Sequence, residues 1–405
     1  MGIGNRQAGV CRVQVSLGQF PVTFKMRQPS FETPPLVALS YTESCNLDCR
    51  HCYGDCSRQP KLGELSGEEW RRVVDELIAD GVIQFYIEGG EPLWRSDFLG
   101  LLAHAARSTM TLLRTNGTLI DRAMADRLKE AGVGRVLVDF MGASAETHEW
   151  FTRTPGSFAA ACDAVHNLVT VGVPVDVLTI LNRRTAAELP AMMGLASALG
   201  AKRFGVLRFY PIGRARALWD ELALSLAEMT EAIQSLDPPE GLRIMQSWHP
   251  NDRNCCWQSA CISARGDSIG CAYLREFVNF GNVRHTRLVD TWRNDPLYRH
   301  LREGKVEAHC SQCTASEGTQ GGCRAAAYAF HGRWEAPDPF CASLNDGVDL
   351  RVLPQWLAEQ GPGPVRAPSA GDGVLPRLRS TRAGNLHSKF RRVARFRTVP
   401  RAQPK

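Results

Sequence analysis

Apolar residues recur in a strand-like pattern between residues 36 and 209. Six β-rich apolar runs predict strands, and the amphipathic stretches between them predict helices. The six runs are 36–42, 82–88, 110–115, 135–140, 173–181 and 203–209. Regular alternation of strand and helix predicts an α/β fold with a parallel sheet or barrel, whose functional groups lie at the carboxyl ends of the strands.

Two of the predicted helices carry a start signal. Ser66 precedes Glu69 by three positions, and Thr185 precedes Glu188 by the same spacing. This spacing predicts two capping boxes, in which a hydroxyl and a carboxylate bond the free N–H groups of the first helical turn.

The pattern changes along the chain and predicts five segments. From about residue 250, cysteines, glycines and short runs replace the alternation, as expected for a small domain held by metal. After about 350 the chain becomes rich in Pro, Gly, Ala and Arg. The predicted segments are an N-terminal extension (1–34), a core barrel (35–220), a connecting helical segment (221–249), a cysteine-rich α+β domain (250–348) and a largely disordered tail (349–405).

The net charge of +6 comes entirely from the tail, because residues 373–405 hold eight arginines, two lysines and no acid. We expect a disordered, solubilising tail with no nucleic-acid partner. The alternative is a basic amphipathic helix, built on Phe390, Val393 and Phe396, that binds an acidic leader peptide, a nucleic acid or an anionic surface.

Fourteen cysteines fall mainly into two groups, four between residues 45 and 56 and eight between 255 and 341. The N-terminus has no apolar signal segment, and no long apolar run predicts a membrane span. We therefore expect a cytoplasmic protein whose cysteines bind metal rather than form disulfides.

Cys45, Cys49 and Cys52 directly follow the first predicted strand. Three thiolates at this spacing can hold three corners of a 4Fe–4S cluster and leave the fourth iron open to a substrate. A zinc site or three structural cysteines are the alternatives on spacing alone. The second predicted strand ends in Gly89, Gly90, Glu91 and Pro92.

The CxxxCxxC and GGEP motifs together resemble the radical S-adenosylmethionine (SAM) superfamily over residues 36–215. The resemblance implies a partial (βα)6 barrel and a cluster whose open iron is chelated by SAM. It implies reductive cleavage of SAM to a 5′-deoxyadenosyl radical, which abstracts hydrogen from an unactivated carbon. It also implies that the segment 89–92 binds the amino group of SAM.

The same resemblance implies further SAM contacts. His51 is placed near adenine, Asn116 lies in a TNG turn, and Asp139 occupies the position of a family serine. Arg153 resembles an arginine that pairs with the SAM carboxylate, with a solvated surface charge as the alternative. Cys56 lies outside the motif and is not expected to be a ligand.

The C-terminal cysteines resemble the SPASM domain, which carries auxiliary 4Fe–4S clusters in peptide-modifying radical SAM enzymes. The ligands that the resemblance implies for auxiliary cluster I are Cys255, with Cys256 as the alternative, Cys261, Cys271 and Cys323. For auxiliary cluster II they are Cys310, Cys313 and Cys341, with Thr319 where the family has a fourth cysteine. A zinc ribbon is the alternative for this domain.

The leading hypothesis is a peptide or small-protein maturase, in which the auxiliary clusters accept electrons or bind substrate. The alternatives are a cofactor-modifying enzyme, such as a tetrapyrrole side-chain decarboxylase, and a non-catalytic iron–sulfur carrier. Because no separate peptide-binding module is apparent before Cys45, a partner protein or the SPASM surface would hold a peptide. An electron donor such as a flavodoxin or ferredoxin is expected, and Tyr273 is a candidate proton or radical relay.

Thr319 generates the first testable prediction. A hydroxyl is a poor iron ligand beside thiolates, so auxiliary cluster II is expected with an open iron or a ligand borrowed from a residue such as Asp338. Anaerobic reconstitution should give roughly 12 iron atoms per chain, the sum for three cubane clusters. Thr319→Cys should leave that count unchanged and alter the redox potential. A natural count of about eight that rises by about four in the variant would mean that the cluster has been lost.

Overall fold

A computed structural model describes residues 10–17, 20–27, 31–59, 61–246, 256, 258–303, 306–307, 321–341 and 347–359. The centre of the fold is a parallel sheet of eight strands. The strands are β3 (Leu36–Ser40), β4 (Gln84–Glu88), β5 (Met110–Thr115), β6 (Arg135–Asp139), β7 (Val175–Ile180), β8 (Arg203–Leu207), β9 (Arg243–Gln246) and β10 (Ser259–Ile262). They lie in the sheet in the order β10-β3-β4-β5-β6-β7-β8-β9.

Helices follow most strands of the sheet and continue through the C-terminal region. They are α1 (Gly67–Ala79), α2 (Phe98–Ala105), α3 (Arg122–Glu130), α4 (Ala145–Thr152), α5 (Ser157–Val171), α6 (Leu189–Ala198), α7 (Trp219–Leu222), α8 (Leu226–Gln234), α9 (Leu288–Asn294), α10 (Pro296–Glu303), α11 (Arg324–His331) and α12 (Gln355–Ala358). Short 3-10 turns span Pro92–Trp94, Ala186–Glu188, Gly213–Leu218 and Ala272–Leu274.

Alternation along the strands gives the sheet one apolar face and one partly polar face. Phe85 and Ile87 of β4 are fully buried in the hydrophobic core that also contains Trp70 of α1. Because successive strand residues point to opposite faces, Tyr86 and Glu88 face the other way, into the interior of the barrel. Polar residues therefore collect inside the barrel at its carboxyl edge.

The fold class expected from the sequence is confirmed, because the six predicted strands are present as β3 to β8 and pair in parallel. Two further strands, β9 and β10, extend the sheet. β10 lies within the region predicted as a separate metal-held domain, yet it pairs with β3 and places Cys261 opposite Ala38. The cysteine-rich region is thus built onto the edge of the barrel sheet.

The predicted N-terminal extension contains an antiparallel hairpin. Its strands are β1 (Val10–Leu17) and β2 (Phe20–Arg27), with Val10 paired to Arg27 and Leu17 to Phe20. The hairpin forms a two-stranded sheet of its own.

One predicted capping box is confirmed and the other is wrong. Ser66 and Glu69 cap α1 reciprocally, as the spacing predicts. The Thr185 hydroxyl instead donates to the carbonyl oxygen of Ile180 at 2.8 Å. Glu188 accepts a bond from the backbone N–H of Ala143 at 2.6 Å. The hydroxyl bonds a nearby carbonyl and the carboxylate bonds a distant loop, so no reciprocal cap forms at this second position.

The described part of the predicted tail packs against the rest of the chain. Leu350 and Leu357 are buried at 1% and 0% exposure, and the indole N–H of Trp219 donates to the carbonyl oxygen of Leu350 at 2.9 Å. The tail predicted from 349 therefore includes a packed segment to Glu359. Its basic stretch lies outside the described residues. Within the described part of the chain, every helix is too short or too polar to span a lipid bilayer.

Truncation on either side of this segment tests its contribution to stability. A chain ending after Glu359 should unfold at the temperature of the full chain. A chain ending after Gly347 lacks two buried leucines, each of which contributes about 2–5 kcal/mol. Its melting temperature, followed by circular dichroism, should fall by several degrees. Equal melting temperatures for the two truncated chains would contradict the packing described above.

Candidate active site

The loop after β3 gathers the first group of cysteines into one patch. Cys45 and Cys56 are buried together with Leu47, and Cys49 and Cys52 pack against them. The N–H of Leu47 points at the sulfur of Cys45 at 3.4 Å. The N–H of Cys56 points at the sulfur of Cys52 at 3.3 Å. Backbone donors directed at sulfur stabilise thiolates, the form in which cysteine binds iron.

The environment of these sulfur atoms fits a cluster. Burial raises the pKa of Cys45 to about 12, whereas hydrogen bonds from Cys56 lower the pKa of Cys52 to about 5. A bound metal deprotonates a coordinating thiol, even a buried one. Among the described residues no three His, Cys, Asp or Glu side chains converge on one metal ion. A cubane cluster needs no such convergence, because its cysteines bind different iron atoms.

Gly89 and Gly90 allow the loop after β4 to lie directly on the cysteine loop. A Cβ atom on Gly90 would be 2.0 Å from the carbonyl oxygen of Ser44, and one on Gly89 would be 2.5 Å from that of Thr42. Gly89 also has a φ of +144°. The N–H of Gly90 donates to the Thr42 carbonyl at 2.6 Å. The close approach that requires these glycines is thus to the chain's own backbone.

Glu91 connects three loops at the carboxyl edge of the sheet. Its fully buried carboxylate accepts bonds from the Thr115 hydroxyl and the Asn116 N–H, all at 2.9 Å. Burial raises the pKa of Glu91 to about 7. The Asn116 amide donates to Asn46 at 2.9 Å and lies 3.8 Å from the sulfur of Cys45. The GGEP loop, the turn after β5 and the cysteine loop are therefore one bonded unit.

His51 and Arg153 both lie beside the cysteine loop. His51 is buried edge-on against Phe151, with ring centroids 5.0 Å apart. Its Nδ1 atom has no hydrogen-bond partner among the described residues. Burial lowers the pKa of His51 to about 3, so the ring is neutral. Arg153 ends α4 with a φ of +55° and pairs with Asp48 of the cysteine loop at 3.2 Å.

Asp139 lies inside the barrel and is paired with an arginine of the neighbouring strand. Nε of Arg114 is 3.1 Å from both oxygens of Asp139, and Nη1 is 3.8 Å from Glu88. The Ser40 hydroxyl donates to Glu88 at 3.3 Å. The ring of Tyr273 lies in the same interior, where it is 5.8 Å from the ring of Tyr53 and burial raises the pKa of its hydroxyl.

Arg114, Glu88 and Arg214 are interior or loop residues that the sequence did not single out. The backbone N–H of Arg214 donates to the Cys52 carbonyl at 3.0 Å, and its Nη2 donates to the Cys56 carbonyl at 2.8 Å. Arg114 and Glu88 occupy the ends of strands, a position that could have marked them in advance. The role of Arg214 depends on the loop after β8 meeting the cysteine loop, which no local signal reports.

Two of the predicted auxiliary ligands lie at the junction of the second domain with the barrel. Cys261, on β10, is fully buried with Ile269 and Ala272, and its sulfur is 3.9 Å from the Ser40 hydroxyl. The N–H of Cys271 donates to the Ile269 carbonyl at 2.7 Å. The alternative first ligand Cys256 is buried as well. Cys255 lies outside the described residues.

Asp338 connects the backbone of Cys323 to Arg208, the residue that follows β8. The N–H of Cys323 donates to Asp338 at 2.8 Å, and Arg208 pairs with the same carboxylate at 2.8 Å. The other oxygen of Asp338 accepts from the N–H of Phe340 at 3.1 Å. Asp338 is committed to these partners, which argues against its being a borrowed cluster ligand. The N–H of Cys341 donates to the Asp338 carbonyl at 2.9 Å. Cys310, Cys313 and Thr319 lie outside the described residues.

A cleft of about 460 Å³ opens between the cysteine loop and the second domain. Its walls carry both signs of charge, including Glu43, Lys61 and Arg265, together with the apolar Phe277. Arg265 pairs with Glu43 at 3.2 Å, so part of this charge is already neutralised within the wall.

Two segments of the chain match the models of known protein families. Residues 39–196 match the model of the radical SAM superfamily, and residues 255–314 match the SPASM iron–sulfur cluster-binding domain. The chain is therefore a radical SAM enzyme with a C-terminal SPASM domain. Radical SAM and SPASM domains bind 4Fe–4S clusters, and SAM is the cofactor of the former.

The relatives of this chain include heme synthases and peptide cyclases. An AdoMet-dependent heme synthase of Methanosarcina barkeri is 28% identical over 338 residues, covering 76% of this chain and 96% of the relative. A PqqA peptide cyclase of Granulibacter bethesdensis is 29% identical over 363 residues, covering 82% and 96%. SuiB of Streptococcus suis, solved with bound S-adenosylmethionine, shares the fold with a TM-score of 0.63 at 15% identity, covering 77% and 78%.

Gly90→Ala tests the contact between the GGEP loop and the cysteine loop. The added Cβ would overlap the Ser44 carbonyl, so one of the two loops must move, at a cost of about 1–3 kcal/mol. We expect a lower melting temperature and weaker SAM binding by the reconstituted enzyme. Gly100→Ala is the matched control, because nothing lies within 4 Å of its Cβ position in α2. Equal behaviour of the two variants would refute the contact.

Proposed function

We propose that the chain is a radical SAM/SPASM oxidoreductase that modifies a peptide or small protein. The observation that carries the proposal is the bonded unit of cysteine loop, Glu91 and Asn116 at the carboxyl edge of the parallel sheet. This edge is where α/β folds place their ligands. A non-catalytic iron–sulfur carrier would have no use for a three-cysteine site with a free iron.

In this proposal Cys45, Cys49 and Cys52 hold the catalytic 4Fe–4S cluster. With SAM bound and an electron from an external donor, this cluster would supply the chemistry for hydrogen abstraction from an unactivated carbon. The chain's own groups hold the loop in place and keep water from the site. Arg214 clamps the loop by binding the carbonyl oxygens of Cys52 and Cys56.

The SAM contacts are assigned to residues around this loop. Gly89, Gly90, Glu91 and Pro92 would meet the amino group of SAM, and Asn116 lies beside them. His51 would meet the adenine, and its unpartnered Nδ1 supports a ligand contact at this point. Arg153, half exposed beside the cysteine loop, would pair with the carboxylate. Asp139, with its partner Arg114, would line the cavity in which SAM and substrate meet.

The second domain is proposed to hold auxiliary clusters that accept electrons from the substrate or bind it. Auxiliary cluster I would use Cys261, Cys271 and Cys323, together with Cys255 or Cys256. Auxiliary cluster II would use Cys310, Cys313 and Cys341, with Thr319 at the position of a fourth ligand. Tyr273 remains a candidate relay, because it lies two residues after Cys271 and faces the barrel interior.

The alternative substrate is a tetrapyrrole, because the heme synthase and the peptide cyclase match the chain equally well. Charge inside the site favours the peptide. Arg114 and Arg208 are neutralised by the chain's own carboxylates, which leaves less positive charge for the propionate groups of a tetrapyrrole. Deuterium transfer into 5′-deoxyadenosine from a deuterated peptide, but not from a deuterated tetrapyrrole, would distinguish the two classes.

A flavodoxin or ferredoxin is the proposed electron donor, since SAM cleavage consumes an electron that the chain cannot generate. A separate leader-binding protein is the proposed partner for peptide capture. We place the enzyme in the cytoplasm, where a reducing environment keeps cysteines available to clusters. Among the described residues, no disulfide involves Cys45, Cys49, Cys52, Cys56, Cys162 or Cys261.

Replacement of Cys45, Cys49 and Cys52 by alanine tests the catalytic cluster. The triple variant should form no 5′-deoxyadenosine when reduced with SAM, because no cluster remains to deliver the electron. Iron–sulfur absorbance from the auxiliary domain should persist. Cys162→Ala, in α5 and away from both groups, is the control and should keep full activity. Undiminished SAM cleavage in the triple variant would overturn the proposed function.

A further inference from the structure

Two buried tyrosines lie near the proposed ligands of auxiliary cluster I. The hydroxyl of Tyr210, just beyond β8, is 3.2 Å from the sulfur of Cys323. Tyr298, on α10, is fully buried. Its hydroxyl has no hydrogen-bond partner among the described residues.

The surroundings of the Tyr298 hydroxyl point to the same metal site. Burial raises the pKa of this phenol, and Cys256, Cys261 and Cys271 lie close enough to raise it further. A Cβ built on Gly270, the residue before Cys271, would lie 3.7 Å from the Tyr298 ring. A buried polar group without a partner is costly, so a native structure that keeps one calls for an acceptor. The sulfur atoms of a cluster held by these cysteines would provide it.

Aromatic packing fixes both hydroxyls in place. The Tyr298 ring stacks on Phe280 with centroids 4.3 Å apart and meets the edge of Trp292 at 5.1 Å. The Tyr210 ring stacks on Tyr273 at 4.0 Å and 13°. Neither hydroxyl has room to turn toward solvent. Each is held in one direction before any cluster is bound.

The chemistry of a ligated cysteine decides which partner donates. A thiolate bound to iron has no proton and can only accept, so the phenol must donate. Hydrogen bonds to the sulfur atoms of a cluster withdraw electron density from it and favour its reduced form.

We propose that Tyr210 and Tyr298 donate hydrogen bonds to sulfur atoms of auxiliary cluster I and raise its reduction potential. The proposal rests on the proposed function, because it needs a cluster at Cys261, Cys271 and Cys323. Both tyrosines act through the cluster and are positioning residues. A higher potential makes the centre a better one-electron acceptor. Tyr210 also connects the cluster to the barrel interior, because its ring stacks on Tyr273, which faces that interior.

The experiment compares the reconstituted full-length enzyme with Tyr210→Phe and Tyr298→Phe. Each variant keeps the ring and its packing and removes the hydroxyl alone. Tyr328→Phe is the matched control, because this buried tyrosine of α11 stacks on Trp334 with ring centroids 3.9 Å apart, and it is burial that raises the pKa of its hydroxyl. Iron content is measured first, followed by a potentiometric titration of the auxiliary cluster monitored by electron paramagnetic resonance.

We expect unchanged iron content and a shift of the midpoint potential to more negative values in both variants. The shifts should add in the double variant, and Tyr328→Phe should titrate like the natural enzyme. Pulsed resonance after exchange into heavy water gives a second readout, in which each variant loses one exchangeable deuteron coupled to the cluster. Unchanged potentials and couplings at full iron content would overturn the inference. A natural enzyme with iron for the catalytic cluster alone would overturn the proposed auxiliary cluster instead.

Discussion

The buried carboxylate of Glu91 is the interaction on which the catalytic edge of the barrel depends. It accepts bonds from the hydroxyl of Thr115, from the N–H of Asn116 and from the N–H of Leu93. A carboxylate with no exposure to water must find such donors, and these donors come from the ends of β4 and β5. Asn116 then extends the network to the cysteine loop. One buried group therefore sets the mutual positions of three loops that sequence alone leaves independent.

Hydrogen bonds and a buried ion pair also hold the second domain to the barrel. β10 joins the sheet beside β3, and the buried pair of Arg208 with Asp338 fixes the backbone of Cys323. A buried ion pair adds little net stability, because the desolvation of both charges offsets their attraction. What this pair contributes is position, since the Asp338 carboxylate binds Arg208 and the N–H of Cys323 at the same time.

Sequence reasoning predicted the parts of the molecule that local chemistry determines. The six strands and the Ser66 capping box follow from short-range patterns, as does the position of the cysteine loop at a strand end. It failed where distant segments meet. Thr185 and Glu188 look like a capping box, but the Glu188 carboxylate bonds the N–H of Ala143, 45 positions away. β10 is four residues long and becomes a strand by pairing with residues more than 200 positions away. Arg214 likewise joins distant segments, because it follows β8 and binds the Cys56 carbonyl in the cysteine loop.

The balance of charge inside the barrel bears on what the enzyme can accept. Two cations, Arg114 and Arg275, face two carboxylates, Glu88 and Asp139, across the interior. Arg275 also donates to the Ser40 hydroxyl at 3.1 Å and covers the ring of Tyr53 at 4.8 Å. Because these four charges balance one another, they attract a strongly charged substrate less than an unpaired cationic site would. A peptide segment with few charges suits it better than a macrocycle bearing several carboxylates, because each buried carboxylate would need a new partner.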